Sequence, residues 1–232
     1  KTITYGRLPG GLVMLNWPLH GNDWHSGLER AFADDPAAET ELHAAMQEHS
    51  LAFARGLEQA SGGWLQRGAC FPSPDQVQAC QRRGEPAPLQ GSAPLALMPY
   101  WREGRRLQAL STVVEGDLLP QGPGARIAPL PQRQGALDAI AVGNYANDHH
   151  YPGPDWPLAP KSCRWGGRWS GTPFCMPYGA LVSADCSNLL AADKAVGTSH
   201  MANGATRLQP LVMNVGQAAG LAAALCIRLG LA

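Results

Sequence analysis

The sequence has no excess of either charge, because eighteen Lys and Arg side chains are matched by eighteen Asp and Glu. That balance removes the electrostatic ground for expecting nucleic acid or an anionic membrane as a partner. The six cysteines, at 70, 80, 163, 175, 186 and 226, include no C-x-x-C pair and no Cys/His spacing of the zinc type, so no metal is expected. At this modest content free thiols are favoured over disulfides. No signal-peptide pattern opens the chain, which leaves the compartment open. In the apolar C-terminal stretch only ten residues separate Gln217 from Arg228. A membrane span needs roughly 20, so a buried helix is expected there and no membrane partner.

Glycine and proline are plentiful instead, 27 and 20 in 232 residues, which implies many turns without reaching low complexity. That length suffices for one large or two small domains. Residues 2–16 carry two short apolar runs around Pro9-Gly10-Gly11, the pattern of a hairpin. Residues 17–25, WPLHGNDWH, crowd two tryptophans, two histidines, Asn22 and Asp23 into a loop held irregular by Pro18 and Gly21. Two readings remain open for it: a loop anchored by its tryptophans, or a site.

Asp35-Pro36 is a helix start, an acid at the N-cap before proline at the first helical position. Leu42, Met46, His49, Phe53, Leu57 and Ala60 then recur in steps of three and four, predicting an amphipathic helix over 36–60 ended by Ser61-Gly62-Gly63. A short helix is expected at 75–82. Residues 107–114 and 136–142 have strand composition, with a Gly/Pro-rich loop over 116–133 between them. The cluster Arg102-Glu103, Arg105 and Arg106 reads as an exposed turn with local ion pairs. Trp156, Trp165 and Trp169, with Arg164 and Arg168, either wall a pocket or cover a sheet edge.

The chain is organised around residues 188–224. Leu189 to Ala192 read as a short strand buried on both faces, and Asp193 follows at its end, where an acid can meet a ribose or ribityl hydroxyl. A loop is expected next, and then, from Gln209 with Pro210 in the first turn, a helix whose small-residue face is Gly216, Ala219, Gly220 and Ala223. The start of such a helix offers free N–H groups and a positive dipole end.

The segments Asn188 to Ala192, Ser199-His200, Arg207 and Gly216-Gln217-Ala218-Ala219-Gly220 resemble, in that order, the C-terminal part of bacterial FAD-dependent oxidoreductases of the glutathione-reductase-like superfamily. Residues 15–23, 99–106 and 138–145 agree with the same group. A looser likeness to fumarate reductase flavoproteins rests on Asp193 and on residues 203–208. The resemblance implies FAD as cofactor and hydride transfer to it from a small organic substrate. It implies His200, Arg207 and His150 as catalytic residues, and Asp193, Leu208, Gln209, Gly216 and Gln217 as cofactor contacts. For the substrate it points to His20, Asn22, Asp23 and Arg102.

That family opens with a strand, a G-x-G-x-x-G turn and a helix that hold the ADP half of FAD. Gly122-Pro123-Gly124 lacks the third glycine and is followed by 127–131 rather than a helix pattern. The chain also begins at Lys1. The expectation is therefore the C-terminal portion of a longer or two-part enzyme, whose missing N-terminal half is supplied in cis or in trans. The expected fold is α+β: an antiparallel-sheet substrate domain over 1–171 with inserted helices, and over 172–232 a strand and helix of a FAD-binding α/β domain. The competing reading is an isolated fragment, or a carbohydrate- or protein-binding module, without FAD.

Overall fold

The computed structural model describes residues 6–15, 17, 21–86, 88, 91, 93–101, 104–145 and 172–231. The fold is mixed α+β, with two compact units. The first comprises residues 1–100 and 150–156, and the second 101–149 and 157–232.

In the first unit, the hairpin expected near Pro9 forms. Arg7 pairs antiparallel with Val13, and Leu8 N donates to Leu12 O (2.9 Å) across the turn. Helix α1, Pro36–Ala60, starts where the sequence places it, with the Asp35 carboxylate accepting from Ala37 N and Ala38 N. Its inward stripe is the expected one up to Leu57: Leu42 is fully buried and Met46, His49, Phe53 and Leu57 are half-buried, whereas Ala60, at the helix end, is exposed. Helix α2, Pro74–Arg83, is secured by a reciprocal bond pair between Ser73 and Gln76. Among the described residues this unit holds isolated bridges rather than a sheet, and the antiparallel strand pair found within 1–171 lies in the second unit.

In the second unit, residues 107–113 run between two neighbours. Leu110 N donates to Val182 O and Ser111 N to Gly179 O on one side; Leu107 N reaches Ala195 O and Val113 N reaches Gly197 O on the other. The strand expected over 107–114 is thus an irregular extended segment, bridged antiparallel at Ala109–Ser183 and parallel at Val113–Thr198. Short strands follow: β1 Gln132–Arg133 pairs with β2 Ala136–Leu137, and β3 Ala141–Tyr145 pairs antiparallel with β4 Thr172–Met176. The single strand expected over 136–142 is broken at Asp138. Its carboxylate turns away to accept from Tyr178 N (3.0 Å) and Gly179 N (3.4 Å), so the chain leaves one pairing before it joins the next.

The core gathers Val113, Leu118, Phe174, Met176, Leu181 and Val196 under two C-terminal helices. Helix α3, His200–Thr206, stands where a loop was expected. It carries no apolar stripe, but Ala202 to Thr206 are all buried, so packing rather than propensity holds it. Helix α4, Gln209–Leu229, begins at Pro210 as expected and ends on Gly230 in the left-handed conformation (φ 66°). Its buried positions are Leu211, Val215 and Ala219, whereas Gly220 and Ala223 are exposed. At 21 residues it is long and apolar enough to cross a membrane, a property that counting between Gln217 and Arg228 missed because the apolar stretch extends N-terminally.

Cys70, Cys80, Cys175, Cys186 and Cys226 are free thiols, as favoured; Cys163, the tryptophans at 156, 165 and 169, Arg164 and Arg168 lie outside the described residues.

Gly197 shows how tightly the central segment is clasped, because a Cβ there would lie 2.6 Å from Ala109 Cβ and 2.7 Å from Ser111 O. The expected outcome for Gly197→Ala is a loss of roughly 1–3 kcal/mol by overpacking, larger than the gain of about 0.4–1 kcal/mol from a stiffer unfolded chain. Thermal denaturation reads it as a lowered midpoint; an unchanged midpoint would show that the 109–111 backbone yields freely.

Candidate functional site

The candidate residues of the C-terminal region come from the ends of short elements in the second unit. The segment 189–192, expected as a strand buried on both faces, is instead extended with one antiparallel bridge, Val182–Leu190. Ala191 N donates to Leu181 O and Ser183 N to Leu189 O, so among the described residues one edge is paired, and Leu189 is 46 % exposed. The other side meets α4. A Cβ at Gly216 would lie 3.1 Å from the Ala192 carbonyl oxygen, so the absence of a side chain brings helix and segment together.

Asp193 follows at an exposed turn, its Oδ1 accepting from Lys194 N (2.5 Å). A carboxylate has several acceptor positions, so this bond leaves capacity for a ligand hydroxyl. Lys194 Nζ donates to Trp101 O (2.9 Å).

Ser199 caps α3. Its Oγ accepts from Ala202 N (3.1 Å) and donates to Glu115 Oε2 (2.9 Å), while Ser199 N donates to Val113 O (2.8 Å). His200 is therefore the first residue of a fixed helix and is exposed. Arg207 closes the same helix, half-buried, with its N–H on Asn203 O (3.2 Å). The two proposed catalytic residues stand at opposite ends of α3, seven residues or about 10 Å apart along its axis.

Leu208 precedes α4 and supplies no side-chain cap to its first turn, where Gln209 and Pro210 are exposed. Gly216 is half-buried and Gln217 exposed on the second and third turns. The site's elements are thus brought together by two contacts: the Asp193 turn lies against α4 through Gly216, and against α3 through the Asn203 side chain, whose Nδ2 donates to Lys194 O (3.1 Å). Asn203 and Glu115 were not singled out from the sequence. An isolated amide or acid carries no spacing signal, and only the fold gives either its partner.

In the first unit, Asn22 is engaged within its own loop. Its Oδ1 accepts from Trp17 N (2.7 Å) and its Nδ2 donates to Leu15 O (3.2 Å). Asp23 beside it is half-buried. Edge-to-face packing of Trp17 on Phe53 and of Trp24 on His49 fastens the loop to α1, and His49 Nε2 donates to Gly21 O (2.9 Å). This matches the reading of a loop anchored by its tryptophans. His20, Arg102 and His150 lie outside the described residues. The turn at Gly122-Pro123-Gly124 has positive φ at both glycines and leads into no helix, as expected.

A family model described as FAD dependent oxidoreductase matches residues 1–232. No curated protein and no solved structure shows a significant match to the chain.

The Ser199 hydroxyl serves both α3 and Glu115, so its removal should cost more than a lone cap. Ser199→Ala is expected to lower stability by about 1–2 kcal/mol, with a smaller loss for Glu115→Gln, which keeps an acceptor. Denaturant midpoints measure both; equal losses in the two variants would show that the charge, not the cap, dominates.

Proposed function

The chain belongs to the FAD-dependent oxidoreductase family, with FAD as its cofactor, and from that premise we propose that it builds the flavin end of the cofactor site and part of the substrate site. In this reading residues 172–232, which share a unit with 101–149, are the C-terminal part of the FAD-binding domain, and the substrate domain is drawn from residues 1–171. The observation that carries it is the seating of the Asp193 turn on α4 at Gly216. Gly216 lies seven residues beyond Gln209, roughly 10 Å along the axis, a distance comparable to a ribityl chain with the near edge of its ring.

The residues present fit that end of FAD. Asp193 is exposed with acceptor capacity left for a ribityl or pyrophosphate-side hydroxyl, and the first turn of α4 has N–H groups that no side chain caps. A positive dipole end at Leu208-Gln209 favours negative charge on the pyrimidine side of a flavin. Gly216 keeps the helix close, and Gln217 supplies an amide on its exposed side. Bound FAD supplies a two-electron acceptor, taking a hydride from an organic substrate.

The chain's own residues would do the rest. The His200 imidazole holds or accepts the substrate proton. The Arg207 guanidinium anchors an anionic substrate group such as a carboxylate through two parallel hydrogen bonds. By resemblance alone, His150 is assigned a proton-handling role, and His20, Asn22, Asp23 and Arg102 are assigned to the substrate. The ADP half of the cofactor needs a strand–turn–helix unit that this sequence does not contain, and we assign it to an N-terminal half acting in cis or in trans. The balanced charge supports a small-molecule substrate rather than nucleic acid.

The roles separate experimentally. In the full-length protein, Asp193→Ala should weaken FAD binding about tenfold, the worth of one hydrogen bond to a charged group, as read by flavin fluorescence. His200→Ala and Arg207→Ala should keep the yellow flavin absorbance while its bleaching by reducing substrate slows at least a hundredfold, in the range of general acid–base catalysis. Flavin lost together with activity in the last two would make them structural, and unchanged FAD affinity in the first would remove Asp193 from the site. Expressed alone, the 232-residue chain should be colourless and gain FAD only when the N-terminal half is added; tight binding by the chain alone would overturn the division of the site.

A further inference from the structure

Asn203 has no role in the reading above, yet it is among the most deeply buried polar side chains of the second unit, at 1 % exposure. A buried carboxamide destabilises the fold unless its groups are bonded. Its Nδ2 donates to the Lys194 carbonyl (3.1 Å) and to Thr198 Oγ1 (3.4 Å). Its backbone is spent within α3, the N–H on Ser199 O (2.9 Å) and the carbonyl accepting from Arg207 N (3.2 Å). Its Oδ1 meets no hydrogen-bond partner among the described residues, so the side chain carries a polar cost that an alanine would avoid. Packing alone does not require an amide here.

What the amide accomplishes is a link. The Lys194 carbonyl belongs to the residue directly after Asp193, and Lys194 N–H is the donor to Asp193 Oδ1. The same turn is pressed from the α4 side by Gly216 against Ala192 O. Asn203 therefore holds from α3 what Gly216 holds from α4, and the helix it belongs to bears His200 and Arg207 at its ends.

We propose that Asn203 is a positioning residue for the cofactor: by fixing the Lys194 carbonyl it sets the Asp193 carboxylate for a flavin ribityl hydroxyl and ties that placement to α3. The proposal rests on the cofactor role of Asp193. A turn free to rotate about residues 193–194 would present the carboxylate in several orientations, and FAD binding would have to select one of them.

The test uses the full-length protein, its flavin removed and FAD added back, with binding followed by flavin fluorescence. Asn203→Ala should weaken FAD about tenfold, whereas Thr198→Val, which removes only the longer of the two bonds, should stay within twofold. Asn203→Ala added to Asp193→Ala should weaken binding no further, since one residue acts through the other. Amide hydrogen exchange at 193–195 in the flavin-free protein should be faster with Asn203→Ala and unchanged with Thr198→Val. Should the alanine variant fold poorly, Asn203→Ser is carried through the same measurements. Wild-type FAD affinity in the Asn203 variants, or additive losses in the double variant, would overturn the inference. If Asp193→Ala alone binds FAD as wild type, the cofactor role of Asp193 fails instead, and exchange at 193–195 then judges the link: unchanged rates overturn it, and faster rates uphold Asn203 as the holder of that turn.

Discussion

The second unit depends on how residues 107–113 dispose of their backbone hydrogen-bonding groups. Only Val113 of this segment has a buried side chain, but backbone N–H and C=O groups covered by neighbouring chain must still be bonded or cost stability comparable to each missing bond. Here the donors are divided between two neighbours, 179–182 on one side and 195–197 on the other, and Ser199 N returns a bond to Val113 O. Because the partners are irregular segments rather than long strands, each bond fixes a particular stretch of chain. The segment carrying 195–199 is held at the exit of the Asp193 turn and at the entry to α3, so the candidate site inherits its geometry from this clasp.

Small residues convert the clasp into close approach. Gly197 lets the 195–199 backbone come within reach of Ala109 and Ser111, and Gly216 lets α4 meet Ala192 O. At neither place does a large apolar side chain separate the layers, so alignment relies on backbone and amide bonds, with Asn203 the clearest case. The cost is that stability per residue is lower than a wide apolar interface would supply, roughly 1.5–3 kcal/mol for each fully buried large side chain. The larger side chains, Phe174, Met176 and Leu181, are gathered instead in the core beneath α3 and α4.

Elements with local start signals were legible from the sequence. Asp35-Pro36 and the three-and-four spacing of Leu42, Met46, His49, Phe53 and Leu57 define α1 within itself, and Pro210 marks the start of α4. Elements that exist only through tertiary contact were not. Residues 200–206 contain Asn203, Gly204 and Thr206, weak helix formers without an apolar stripe, and become helical because every side of the segment from Ala202 onward is packed. Leu189 to Ala192 look like a buried strand by composition, yet one side is given to α4 and Leu189 to solvent. Asp138, inside an apolar run, gave no sign that its carboxylate would hold Tyr178 and Gly179 and split the strand. Of the candidate site, the residue types and their order were legible; the partners that orient them, Asn203 for the Asp193 turn and Glu115 for Ser199, were not.

Helix α4 shows how rigidity is distributed along one element. Its buried positions, Leu211, Val215 and Ala219, all fall in its first half, and Gly216 makes its close contact there too. Beyond them Leu221, Ile227 and Leu229 are 61 %, 84 % and 62 % exposed, so within this unit the second half adds little burial. Local opening free energies follow buried apolar contact, which places the firm part of the helix at its N-terminal end and the loose part at its C-terminal end. The firm end is the one that carries the uncapped first turn and the seat for the Asp193 turn. A helix anchored in this way can fray from Gly230 inward by several residues without disturbing Gly216, and the geometry at Ala192 is insulated from motion at the far terminus.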